Sequence, residues 1–184
     1  AADGPVIQRA DERALAQDVD IFKVFELVRK IRNNVEVPMV FLLYYNVMVQ
    51  YGIEKFFKRC QETGVDGLII PDLPYEESDE IKEYTEKYGV YQISLVSPTS
   101  KDRIKNIAKD AKGFLYCISS LGVTGEKSSF VTNFDEFVGT IKKYTDVAWD
   151  LVFQTAGRLR NLQNISTVLL SAVQSLSLLQ PVRV

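Results

Sequence analysis

Residues 64–78 read GVDGLIIPDLPYEES, and this stretch decides the fold. Gly67–Pro71 (GLIIP) is a short, continuously apolar run, which suits a strand covered on both faces, as in a parallel sheet. Immediately before it, Ile53–Cys60 carries apolar residues at helical spacing, and after it Ile81–Tyr88 does the same. One strand with a helix on each side is the repeating unit of an α/β fold. Pro71 and Pro74 bracket Asp72 in the turn that leaves the strand, stiffening it.

The same unit recurs in both directions. Met39–Tyr44 (MVFLLY), Tyr91–Val96 (YQISLV), Gly113–Cys117 (GFLYC) and a run starting at Val147 are further strand candidates. Ile21–Ile31 places Ile21, Val24, Phe25, Val28 and Ile31 on one helical stripe. Ser100 is expected to cap Lys101–Asp110, and Asn133 to cap Phe134–Tyr144, where Phe134, Phe137, Val138 and Ile141 face inward. Repeated βαβ units leave an open doubly wound sheet or a (β/α)8 TIM barrel. No Gly-rich dinucleotide fingerprint follows any strand, which favours the barrel. A whole barrel takes about 250 residues. The expectation is therefore an incomplete one, roughly strands 3–6 with helices 2–6, over residues 1–148.

Composition narrows the chemistry. Hydrophobic residues make up 46% of the 184, charged residues 25%, and the net charge is −2. That balance suits a globular domain and gives no reason to expect nucleic acid or an anionic membrane as partner. No run approaches the ~18 apolar residues of a membrane span. A chain starting at Ala1 without a leader reads as a fragment or processed product of a cytoplasmic protein, with Cys60 and Cys117 as reduced, buried thiols. Histidine is absent, which excludes Ser–His–Asp and Cys–His machinery and any histidine-bearing metal site. Acid–base work must come from carboxylates, Tyr or Lys.

In either architecture, function gathers at the C-terminal strand ends. These carry Tyr44-Tyr45-Asn46, Pro71-Asp72-Leu73-Pro74, Ser97-Pro98 and Tyr116-Cys117-Ile118-Ser119. Strand-end packing and turn chemistry produce such strings too. Gly122-Val123-Thr124-Gly125 lies in a polar stretch running to Asn133, long enough for a lid or a phosphate-approaching loop. It is not a Walker A loop, because Lys127 and Ser128 follow Glu126 where that motif requires Gly. Asp3-Gly4-Pro5 alone reads as a turn.

Taken in order, Ala2–Gln8 (ADGPVIQ), Phe25–Arg29 (FELVR), Tyr44-Tyr45-Asn46, Gly64–Gly67 running into Pro71–Ser78, and Tyr116–Gly125 (YCISSLGVTG) resemble the alpha chain family of tryptophan synthase. The resemblance covers about residues 1–148. It implies a barrel that cleaves indole-3-glycerol phosphate to indole and glyceraldehyde 3-phosphate, the carbon–carbon lyase step ending tryptophan biosynthesis, without a cofactor or metal. By motif, Asp3 matches a catalytic carboxylate acting at the indole N–H. Tyr44 and Tyr116 match substrate-facing tyrosines, Thr124 a lid residue, and Gly125 a backbone donor near the phosphate. Asn46, Asp72 and Pro74 match the face that docks the beta chain in an α2β2 assembly. The family's catalytic Glu would lie upstream of Ala1, so this chain is expected to turn over little by itself. Two other readings stay open: a non-catalytic partner of the beta chain, and a stand-alone indole-releasing phosphate-binding barrel.

After Ala148 the strand–helix punctuation stops. The family's phosphate segments, Gly-Phe-Gly-Ile-Ser and a later Gly-Ser, are not spelled in residues 149–184. Read from the third base of the Trp149 codon, the codons through Gln154 admit Gly-Phe-Gly-Ile-Ser. The same shifted frame across Ser166–Leu179 admits Asp-Gly-Val-Val-Val-Gly-Ser-Ala-Val-Val-Lys-Leu-Ile. Two matches in one frame and in family order imply a frameshift near codon 149, with 149–184 as a non-native tail.

Overall fold

A computed structural model describes residues 5–98, 100–118, 134–152 and 168–171. In chain order the elements are α1 (Pro5–Leu15), α2 (Ile21–Arg32), β1 (Met39–Leu42), α3 (Tyr45–Tyr51), α4 (Ile53–Thr63), β2 (Gly67–Ile69), a 3-10 turn (Tyr75–Glu77), α5 (Asp79–Tyr88) and β3 (Tyr91–Gln92). There follow β4 (Ser94–Val96), α6 (Lys101–Asp110), β5 (Phe114–Ile118), α7 (Phe134–Tyr144), β6 (Ala148–Val152) and β7 (Val168–Ser171). The described residues fall into two compact units, 5–92 with 168–171, and 93–152.

In the first unit the strand order is β3-β2-β1-β7, every pair parallel. The helices form for reasons written in the chain. Asp20 accepts the Lys23 N–H at 2.9 Å, which supplies a partner for one of the open amides at the start of α2. Val24, Phe25 and Val28, on the expected stripe, are buried. Phe25, Phe41, Phe56, Met39, Met48 and Leu68 anchor a core between the helices and strands. Removing a side chain of this size from water stabilises the fold by about 1.5–3 kcal/mol. α1, which begins at Pro5, was not among the expected helices. Proline at a first helical position forfeits no intrahelical hydrogen bond, because that N–H has no partner within the helix anyway.

In the second unit β4-β5-β6 are again parallel. Ile104, Ile107, Leu115, Cys117, Phe137 and Ile141 are buried there, and Val138 is half-buried. Asn133 lies outside the described residues. Ser100 does precede α6, but its hydroxyl lies 3.0 Å from that of Ser97 and makes no cap hydrogen bond to the helix. The cap is positional here, because a neighbouring hydroxyl competes for the side chain.

One further expectation differs from the structure. Tyr91–Val96 is not one strand. Residues 91–92 join β2, residues 94–96 join β5, and buried Ile93 belongs to neither ladder. β6 follows the strand run expected from Val147 and continues through Trp149 to Val152, and Val168–Ser171 pairs with β1. A short aliphatic run can supply the backbone ladder that β1 needs on its open edge, whatever the surrounding pattern.

Candidate functional site

β1 and β2 are parallel neighbours in the register Leu42↔Ile69, so the residues following them emerge side by side. Tyr44 takes an extended conformation ahead of α3 and offers it no side-chain cap. Asp72, in the turn after β2, provides one from a distance. Its two carboxylate oxygens accept the Tyr45 N–H at 2.9 and 3.1 Å. Buried Leu73 closes the turn by donating its N–H to the Ile70 carbonyl. Pro74 stands just ahead of the 3-10 turn, and the Ser78 hydroxyl donates to the Tyr75 carbonyl. The result is a rim in which Asn46, Asp72 and Pro74 are exposed while their backbones are tied.

Tyr45 adds a second tie that the sequence did not reveal. Its ring packs against the core, and its hydroxyl donates to Glu80 in the first turn of α5 at 2.7 Å. Partial burial first, and the Glu80 carboxylate second, raise the Tyr45 hydroxyl from 10.0 to about 12. No sequence signal links the two residues, which lie 35 positions apart.

The rim is strongly acidic. Asp72, Glu76, Glu77, Asp79 and Glu80 are all exposed, and Lys82 is 3.8 Å from Asp79. Such a surface repels phosphate and suits a basic or neutral macromolecular face.

Of the remaining candidates, Tyr116 is half-buried at the middle of β5, opposite Leu95 and Asp150 in the ladder. Asp3, Thr124 and Gly125 lie outside the described residues. Cys60 and Cys117 are buried and unoxidised. Burial pushes the Cys60 thiol up, which removes it as a nucleophile at neutral pH. Among the described residues no group of three acidic or cysteine side chains could hold a metal ion, and no helix is long and apolar enough to cross a membrane.

Comparison with known proteins gives one answer. The family model described as "Tryptophan synthase alpha chain" matches residues 1–165, which carries the likeness beyond Ala148. The alpha chain of Alkaliphilus metalliredigens is 51% identical over 146 residues, covering 79% of this chain and 55% of its own length. That of Caldanaerobacter subterraneus is 44% identical over 167 residues, 90% of this chain and 64% of its own. The chain thus spans little more than half the length of the curated relatives it matches. Among solved structures, the alpha subunit from Campylobacter jejuni superposes with a TM-score of 0.73 at 35% identity, over 96% of this chain and 73% of that one. Tryptophan synthase from Mycobacterium tuberculosis gives 0.74 at 28%, over 97% and 69%. The fold class is accordingly α/β, that of the (β/α)8 barrel.

Proposed function

The chain belongs to the tryptophan synthase alpha chain family, and from that premise we propose that its fold serves the cleavage of indole-3-glycerol phosphate to indole and glyceraldehyde 3-phosphate in the cytoplasm. The observation that carries the reading is the family match across residues 1–165, which contains every motif string from ADGPVIQ to GVTG.

The reaction needs a proton delivered to indole C3, the N1 proton held or removed, and a base for the glycerol hydroxyl. Placed acids and bases contribute about 10²–10⁴-fold each. Asp3 is assigned to the N1 proton, Tyr44 and Tyr116 to the substrate's flanks, Thr124 to a closing lid, and the Gly125 N–H to the phosphate. Closure of such a lid excludes water and strengthens each interaction. The family's two Gly-containing phosphate segments are not spelled in residues 149–184, so the chain as written is assigned little turnover. The frameshift near codon 149 belongs to the same proposal. The nucleotide sequence across codons 145–180 decides it, and a shifted frame that does not encode Gly-Phe-Gly-Ile-Ser removes the idea.

The partner is assigned as the beta chain, docked at Asn46, Asp72 and Pro74. The tied rim supports this reading: its backbone is anchored while its side chains face solvent. It also favours the second reading, a chain that engages the beta chain without catalysing. One experiment separates the two. The purified chain is assayed for indole release from indole-3-glycerol phosphate, alone and with beta chain, while beta-chain activity is followed in parallel. Slow indole release that disappears in Asp3→Asn supports the lyase. Stimulated beta activity without indole release supports the non-catalytic partner. Neither effect, together with no co-elution on gel filtration, defeats both.

A further inference from the structure

We propose that the Tyr45 hydroxyl and the Glu80 carboxylate act as a positioning pair that holds the Asn46–Asp72–Pro74 rim in the conformation its protein partner recognises; this rests on the docking assigned above. Three elements meet at Tyr45. Its amide is held by Asp72 of the turn after β2, its ring by the core, and its hydroxyl by Glu80 of α5. Asn46 follows directly in the first turn of α3. α3 has only seven residues and receives no side-chain cap from Tyr44, so its start depends on contacts made by Tyr45. The Asp72 contact alone leaves the turn free to move with α3. The bond to Glu80 ties both to the first turn of a ten-residue helix, fixing the spacing between Asn46 and the Asp72–Pro74 turn. The bond is solvent-exposed and adds little to global stability, which separates positioning from folding. Order held in advance of binding lowers the cost of association. The raised Tyr45 pKa keeps the donor proton in place across the neutral and mildly alkaline range.

The test compares the wild-type chain with Tyr45→Phe, Glu80→Ala and the double variant. Amide hydrogen exchange is measured on each chain alone, the Kd for purified cognate beta chain by titration, and the urea midpoint in parallel. In each single variant, exchange should quicken over residues 43–47 and 71–75, and Kd should rise about five- to tenfold, with the midpoint nearly unchanged. The double variant should bind no more weakly than either single one, because both remove the same bond. Unchanged exchange in the single variants overturns the pair without involving the partner. So does a fall in midpoint that tracks the loss of affinity, since the residues would then be merely structural. Should Tyr45→Phe fail to fold, Glu80→Ala alone still decides, because it removes the acceptor at an exposed position of α5. If wild type and variants alike fail to bind beta chain while exchange responds as expected, the docking reading is what fails, and the pair loses its assigned role with it.

Discussion

Arg32 Nη2 stands 2.5 Å from Asp66 Oδ2, joining the last residue of α2 to the residue that leads into β2. The Arg32 guanidinium also donates to the carbonyls of Gly64, Val35 (3.3 Å) and Val37 (2.8 Å). Asp66 accepts the Met39 N–H at 2.7 Å, its own N–H reaches the Met39 carbonyl at 2.8 Å, and its carbonyl takes the Tyr91 N–H at 2.9 Å. One ion pair therefore gathers the N-terminal ends of β1, β2 and β3, opposite the ends that carry the candidate rim. In a barrel this bottom face serves stability.

Arg32→Met should accordingly destabilise the chain without touching the rim. The Asp66 side chain is 48% exposed, so the ion pair itself contributes under about 1 kcal/mol. The loss comes mainly from backbone carbonyls left without their donor, and amounts to about 2–4 kcal/mol. Asp66→Asn keeps an acceptor for Met39 and should cost about 1 kcal/mol. Urea midpoints measure both, and equal losses in the two variants would contradict this division.

Gly64 and Gly89 allow strain and crowding to be separated. Both end helices at positive φ, +81° and +66°. A Cβ at Gly89 meets nothing within 4 Å, whereas one at Gly64 would sit 2.8 Å from Arg32 Nε. Gly89→Ala should cost only the left-handed backbone penalty, about 1–2 kcal/mol. Gly64→Ala should cost more, because it also displaces the guanidinium. In an Arg32→Ala background that excess should vanish, leaving the two glycines alike; a double-mutant cycle of thermal or urea unfolding reads it.

How much of this was legible follows from what each feature depends on. Val24, Phe25 and Val28 could be placed in the core because burial against a helix's own neighbours imposes a period that the chain carries locally. Ile93 could not be recognised as a break, because whether residues 91–92 or 94–96 pair with β2 or β5 depends on strands elsewhere in the chain. Val168–Ser171 shows the same limit: leucines in a run without punctuation read equally as helix, and only the open edge of β1 makes them a strand. At the rim, Asp72 and Asn46 were visible as members of motif strings. Tyr45 stands in the same string as Asn46, but its tie is not legible there, because its partners, Asp72 and Glu80, lie 27 and 35 residues away and no local spacing encodes them.

Phe56 and Phe22 should separate the interior from the surface of the aromatic cluster. Phe56 is fully buried, 5.3 Å from the Phe25 ring and 5.7 Å from Tyr51, both edge-on. Truncation to Ala leaves a cavity and should cost about 3–5 kcal/mol. Phe22 also touches Tyr51, at 5.1 Å, but is 60% exposed. Its truncation should cost under about 1 kcal/mol. Comparable shifts in unfolding midpoint would mean that Phe22 is packed in solution in a way this fold does not contain.

The Tyr45 hydroxyl carries a pH dependence whose sign is set by its raised pKa. The proton is held more tightly in the folded chain, about 12, than in the unfolded one, about 10. Below pH 10 both states keep it and the contribution is fully present. Between pH 10 and 12 the unfolded chain releases the proton while the folded chain does not, so stability falls as pH rises through that window. The hydroxyl is largely solvent-accessible, so screening leaves only part of the nominal effect. Other tyrosines titrate in the same range, and the comparison with Tyr45→Phe isolates this one. Plotted against pH from 9 to 12, the urea midpoint of the wild type, nearly equal to that of Tyr45→Phe at pH 9, should fall below it above pH 10. The absorbance of tyrosinate in the wild type should retain one late-titrating group that the variant lacks. A difference that stays flat to pH 12 would mean that Glu80 does not hold the Tyr45 proton, and the tie across the rim would go with it.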